Sequence, residues 1–176
     1  MSVNPIEPSR FLFEDDGNVP NNPKLPLLFY AGAFDRNAVS ADLIEGTFHA
    51  NKWGNNWRST VFSFPHYHAE AHEALGCYRG TATIRLGGEN GIEQRVQPGD
   101  VVVIPAGVGH QNLGSSTDFT MVGAYPPGQC PDLQRGEPSE RPWALESIAK
   151  VPLPPADPVF GKDGPLNQLW TDMQFT

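Results

Sequence analysis

Residues 66–80 read His66-Tyr67-His68-Ala69-Glu70-Ala71-His72-Glu73-Ala74-Leu75-Gly76-Cys77-Tyr78-Arg79-Gly80. After an intervening stretch of 18 residues (81–98), the chain reads Gly99-Asp100-Val101-Val102-Val103-Ile104-Pro105-Ala106-Gly107-Val108-Gly109-His110. Four of the five histidines fall in these two places. Side chains at i and i+2 of an extended segment share one face, so His66 and His68 can converge on a single point. Two imidazoles with one or two further nitrogen or oxygen donors satisfy a first-row divalent ion. Glu73 and His110 complete such a set if the fold brings the second stretch beside the first. His49, alone on a helical pattern, reads as an ordinary structural histidine.

The fourth position has two candidates. If residues 74–79 form a strand, Glu73, Leu75 and Cys77 share one face, while His72 belongs to the other face with Ala74, Gly76 and Tyr78. The apolar residues trailing Glu73 point to a barrel interior, which favours Glu73 over His72. A bulge between His72 and Ala74 would reverse the parity, so His72 stays open as the alternative ligand.

Outward from these stretches, short runs of strand character follow one another with turn residues between them and no helix. They span residues 58–64, 74–79, 82–86, 92–96, 101–104 and 119–125, punctuated by Gly80, Gly87-Gly88, Asn90-Gly91, Pro98-Gly99 and Gly114. That texture indicates an antiparallel barrel or sandwich, and Asn90-Gly91 between two runs signals a hairpin. Upstream, Val39, Leu43, Ile44 and Phe48 recur at helical spacing and predict a helix over 38–52, capped by Asp35 or Asn37 and closed before Gly54. Gly46 within it costs about 1 kcal/mol of helix propensity. Residues 25–30 form a first strand, with Pro26 at an edge or a strand start.

The chain therefore divides into an arm, edge strand and helix (1–56), a barrel core with the metal site (57–125), and a proline-rich wrap (126–176). All three belong to one domain on this reading. The tail is too rich in apolar residues for disorder and carries a helical stretch near 143–150. No internal repeat is present. The extended arms fit a homodimer, since open sheet edges are often covered by a partner and two-fold dimers are the commonest oligomer.

Composition narrows the partners. Twelve Lys and Arg against 20 Asp and Glu give a net charge of −8 with no basic run, which argues against nucleic acid and anionic membranes. The longest apolar run, 101–108, is far too short to span a bilayer. Cys77 and Cys130 form no redox or metal pair, and the N-terminus lacks the pattern of a signal peptide, so the expected location is cytoplasmic.

The two stretches resemble the two-part signature of the cupin family. The first reads His-x-His, four residues, Glu73, six residues, Gly80. The second reads Gly99, five residues, Pro105-Ala106-Gly107, two residues, His110. The resemblance covers about residues 57–125. Thr60 and Gly114 depart from it at the rims, where the signature has a glycine and an asparagine. It implies a double-stranded β-helix (jelly-roll) barrel with one divalent metal (Fe, Mn, Ni, Co or Zn) just inside the mouth, held by His66, His68, Glu73 and His110. A small-molecule ligand would bind beside the metal. Phe64, Tyr67, Gln111 and Tyr125 are candidate pocket-wall residues, as are Phe62 and Trp57. Three functions follow: a dioxygenase-type enzyme acting on a metal-chelating substrate, a metal-dependent isomerase or lyase, or a non-catalytic binding module. The barrel alone does not choose between them.

Overall fold

The structure, a computed structural model, describes residues 3–171. The strands form two antiparallel sheets, the larger buried on both faces along Leu27–Tyr30 and Val101–Ile104. Strands β1 (Ser9–Phe11), β2 (Leu27–Tyr30), β3 (Gly54–Ser59), β4 (Glu73–Arg79), β7 (Val101–Ile104) and β9 (Thr120–Tyr125) form the larger, in the order β1-β2-β7-β4-β9-β3. The smaller sheet holds β5 (Ala82–Leu86), β6 (Ile92–Val96) and β8 (His110–Ser115), in the order β6-β5-β8. Alternate residues of both sheets meet in one interior: Leu27, Phe29, Leu75, Cys77 and Val102 from the larger, Ile84, Leu86 and Val96 from the smaller. This is the double-stranded barrel that the resemblance implies.

A second layer packs on the outer face of the larger sheet. Helix α1 (Ala41–Ala50) buries Ile44 and Phe48 against Ala74, Val101, Val103 and Val122. Gly76 permits that approach, because a Cβ there would lie 2.7 Å from Ile44 Cγ2. The tail joins the same layer through helix α3 (Pro165–Leu169), whereas helix α2 (Trp143–Lys150) buries Ala144 and Ile148 in a separate cluster with Val19, Tyr67, Ala69 and Ala106. The tail's anchors are polar as well as apolar. Trp53 Nε1 donates to the Ala156 carbonyl at 2.8 Å, Trp170 Nε1 donates to the Pro26 carbonyl at 2.7 Å, and Asp157 accepts from the Tyr30 hydroxyl and from the amides of Val159, Phe160 and Leu166. Among the described residues no helix is long and apolar enough to cross a membrane. Both cysteines are free.

Several local expectations need correction. Ser40, not Asp35 or Asn37, caps α1: its hydroxyl accepts from Leu43 N at 3.1 Å, while Asp35 is spent on the turn before it. The strand expected over 58–64 ends at Ser59, and residues 60–64 cross instead toward β8, where Asn112 N donates to the Phe62 carbonyl. Pro65 brings no amide with which to continue a ladder. The β5–β6 hairpin forms, but positive φ falls on Gly87 and Gly88 rather than on Asn90-Gly91. Strands β1 and β8 and helix α3 were not expected from the sequence.

Candidate metal centre

The segment carrying His66 and His68 is held from both sides by backbone pairing. His66 N donates to the His110 carbonyl at 3.2 Å and His110 N returns a bond of 2.9 Å, so two histidines from distant stretches sit directly opposite one another. On the other side Tyr67 pairs with Gln134 through two bonds of 3.0 Å. The alternation then sends His66 and His68 inward and Tyr67 outward. The delivery of His110 depends on the Pro105–Gly107 turn, where Gly107 has φ +92° and a Cβ would lie 2.5 Å from the Asn21 carbonyl oxygen.

Each ring is oriented by a carbonyl. His66 Nδ1 lies 3.0 Å from the Phe64 oxygen, His110 Nδ1 lies 3.1 Å from the Val108 oxygen, and His68 Nδ1 contacts the Asp132 oxygen. A carbonyl only accepts, so Nδ1 carries the proton and Nε2 turns its lone pair to the centre. The ligand-type atoms of His66, His68 and His110 all fall within 4.8 Å of one another. Oε1 of Glu73 stands 3.4 Å from His68 Nε2 and 3.3 Å from His110 Nε2. Its other oxygen accepts from the Tyr125 hydroxyl at 2.8 Å, and Trp57 Nε1 donates to the Tyr125 oxygen at 2.7 Å.

The electrostatics follow from burial and crowding. Burial, reinforced by the neighbouring His110, lowers the His66 pKa to about 3. Burial also works against charge on His68, but the adjacent Glu73 carboxylate outweighs it and raises that ring. Glu73 is held below the usual carboxylate range: burial alone would raise it, and the His110 and His68 rings more than offset that. Three imidazole nitrogens aimed at one point, with a carboxylate oxygen beside them, suit a first-row divalent cation, and carbonyl-oriented rings are the usual second layer of such sites.

The cupin-domain family profile matches residues 59–122, which span the whole histidine cluster. The chain is also 43% identical over 164 residues to the uncharacterized protein YjlB of Bacillus subtilis (strain 168), covering 93% of this chain and 97% of that one. This chain is a cupin. Two solved structures are similar at a lower level. An uncharacterized conserved protein with a double-stranded β-helix domain from Klebsiella pneumoniae is 17% identical, with 78% of this chain and 85% of that chain covered and a TM-score of 0.35. Acireductone dioxygenase from Bacillus anthracis, solved with a cadmium ion in its active center, is 14% identical with a TM-score of 0.38; the match covers 51% of this chain and 61%, less than two thirds, of that one.

A cavity of about 370 Å³ opens from the cluster, and the cupin lines it with Trp57, Phe62 and Tyr125 as well as the histidines and Glu73. Three other wall candidates lie elsewhere. Tyr67 points outward and is wholly buried against Val19, Ala106 and Ala144, with its hydroxyl donating to Glu140 at 2.7 Å. Phe64 stacks on Phe62 but carries the Arg135 guanidinium 3.6 Å above its ring, outside the cavity. Gln111 donates to the Ser63 carbonyl and faces a different hollow. His72 lies on the opposite face of the strand from Glu73. Its Nδ1 accepts from Ala106 N at 2.9 Å, its ring packs 4.9 Å from that of Trp170, and its buried Nε2 makes no hydrogen bond among the described residues. Asp132 was missed at the sequence level. Its carbonyl contacts His68 and its carboxylate accepts from the amides of Ala69 and Glu70. A backbone carbonyl leaves no compositional trace; the Pro131-Asp132 step in a loop is the only hint.

Proposed function

We infer that His66, His68, His110 and Glu73 hold one divalent ion (Fe, Mn, Ni, Co or Zn), and that the protein is an oxygenase-type enzyme. Its substrate would be a small metal-chelating molecule and its oxidant dioxygen. The observation that carries the reading is the convergence of three carbonyl-oriented histidines on one point with Oε1 of Glu73 at 3.3–3.4 Å from two of them. When bound, the metal supplies Lewis acidity and, for a redox-active ion, electron transfer. Each histidine would coordinate the ion as a neutral imidazole through Nε2, Glu73 would provide the single negative charge, and the Tyr125 hydroxyl keeps one of its oxygens occupied so that the other faces the ion.

Oxygenase chemistry is favoured over isomerase or lyase chemistry by the state of the remaining acid–base groups. Apart from those four residues, Tyr125 and Asp132 are the titratable side chains that line the cavity among the described residues. Tyr125 is committed to Glu73, and Asp132 to backbone amides. Neither is free to move a substrate proton, so chemistry centred on the metal needs the fewest additional parts.

Elemental analysis of protein purified without added ions should find about one metal ion per chain; a metal-free protein that cannot be loaded refutes the reading. Oxygen uptake by the loaded protein with diketones, thiols and catechols tests the reaction class. A homodimer remains part of this proposal, and a monomeric mass at micromolar concentration contradicts that part alone.

A further inference from the structure

The cavity above the cluster is lopsided in its chemistry. Trp57, Val61, Leu75 and Pro131 supply apolar wall, and its mouth is flanked by Phe62 and Leu133. These two remain 51% and 46% exposed. They come from different segments, the 60–65 crossing and the 131–134 crossing, so the rim is apolar on two sides. The neutral hydroxyls of Ser59 and Thr60 are the remaining polar lining away from the cluster, Tyr125 and Asp132.

Among the described residues, no lysine or arginine lines this cavity. The arginines nearest the cluster are engaged elsewhere, Arg79 over the Tyr78 ring at 5.7 Å. Arg58 binds Asp42 and Glu45 at 2.7 and 2.5 Å, Arg85 binds Glu93 at 3.4 Å, and Arg135 lies over Phe64. Three neutral imidazoles, one carboxylate and a divalent ion sum to a single positive charge. One anionic oxygen on a ligand balances it. A second anionic group would be buried against apolar wall with Asp132 nearby and no cation to meet it, which is strongly unfavourable.

The geometry points to a ligand with one anionic oxygen head, an enolate or phenolate, on an uncharged aromatic or branched apolar body gripped by Phe62 and Leu133. Dicarboxylates and phosphorylated molecules are rejected. This inference rests on the metal reading above and names the class of molecule that site takes. A volume of about 370 Å³ is at the lower end for small-molecule sites, which suits one ring rather than several. The body covers apolar rim that otherwise faces water, so affinity depends on the body as well as the head.

The test is calorimetric titration of the metal-loaded protein with three probes: acetylacetone, benzoylacetone and malonate. The two diketones share an enolate head and differ in the ring. Benzoylacetone should bind at least about tenfold more tightly than acetylacetone, with malonate weaker than both. The double variant Phe62→Ala/Leu133→Ala should bring benzoylacetone to within about threefold of acetylacetone while bound metal and acetylacetone affinity hold. Malonate binding as tightly as benzoylacetone, or a double variant that keeps the full preference, overturns the inference. Metal content read on the same samples separates the two failures. Protein that takes up no metal sinks the metal reading and this inference with it, whereas metal-loaded protein that prefers malonate sinks this inference alone.

Discussion

The Tyr125 hydroxyl donates a 2.8 Å hydrogen bond to Oε2 of Glu73, the carboxylate whose Oε1 faces His68 and His110. The two residues stand at the end of β9 and the start of β4, one position beyond the Ala74–Ala124 pair on each strand. Sheet register alone therefore brings phenol and carboxylate together. Tyr125→Phe should leave the fold intact and lower metal affinity by about 10- to 100-fold, because Oε2 loses its donor and the carboxylate can rotate. Competition with a coloured chelator measures this directly.

Glu73 and His72 are adjacent but face opposite ways, and this predicts a clean contrast. Glu73→Gln should cut bound metal at least several-fold. His72→Gln should leave metal content unchanged, since that ring lies against Trp170 and the Ala106 amide. The reverse pattern in elemental analysis would exchange their roles.

His72 also gives a pH dependence. Burial pushes its pKa down to about 4 from 6.5, with the nearby Pro152 carbonyl offsetting only part of that effect. The unfolded chain therefore takes up this proton first as the pH falls. Its share of stability is complete above pH 6.5 and is lost between there and about pH 4, up to about 3 kcal/mol for a wholly buried ring. Urea unfolding at stepped pH should show a shallower loss over that interval for His72→Gln than for wild type. Equal slopes would contradict the assignment.

Gly123 links the barrel wall to the site. A Cβ there would lie 2.0 Å from the Trp57 indole, so any side chain must displace that ring and its bond to Tyr125. Gly123→Ala should destabilise by about 1–3 kcal/mol, shift tryptophan fluorescence, and weaken metal binding in the same direction as Tyr125→Phe. Gly46 in α1 has nothing within 4 Å of its missing Cβ, and Gly46→Ala should stabilise by up to about 1 kcal/mol.

Legibility followed burial. Strands β5 and β6 fall at 82–86 and 92–96, as alternation and turn residues predict, and β7 falls at 101–104 as a continuous apolar run buried at every position. Strand β8 escaped notice because only His110 at its start is buried and the rest is Gln111, Asn112, Leu113, Gly114 and Ser115, a polar run that reads as loop. The converging histidines were visible from motif spacing. The groups that orient them were not, because Phe64, Val108 and Asp132 act through carbonyls that every residue possesses. Wall residues were the least legible. Tyr67 lies one position from two inward histidines, and that single step puts it on the other face.

The 131–134 crossing lies beyond the 59–122 stretch that the cupin profile matches, yet Asp132 steadies His68 from there and Gln134 clasps Tyr67. On the metal reading, the orientation of one ligand would thus depend on chain outside the matched stretch. Relatives that keep all four ligands but replace this crossing would hold the His68 imidazole against a different oxygen, and its basicity would drift with no ligand exchanged. A protease nick in the proline-rich stretch after Tyr125 should announce itself first as leaking metal, with the barrel still standing.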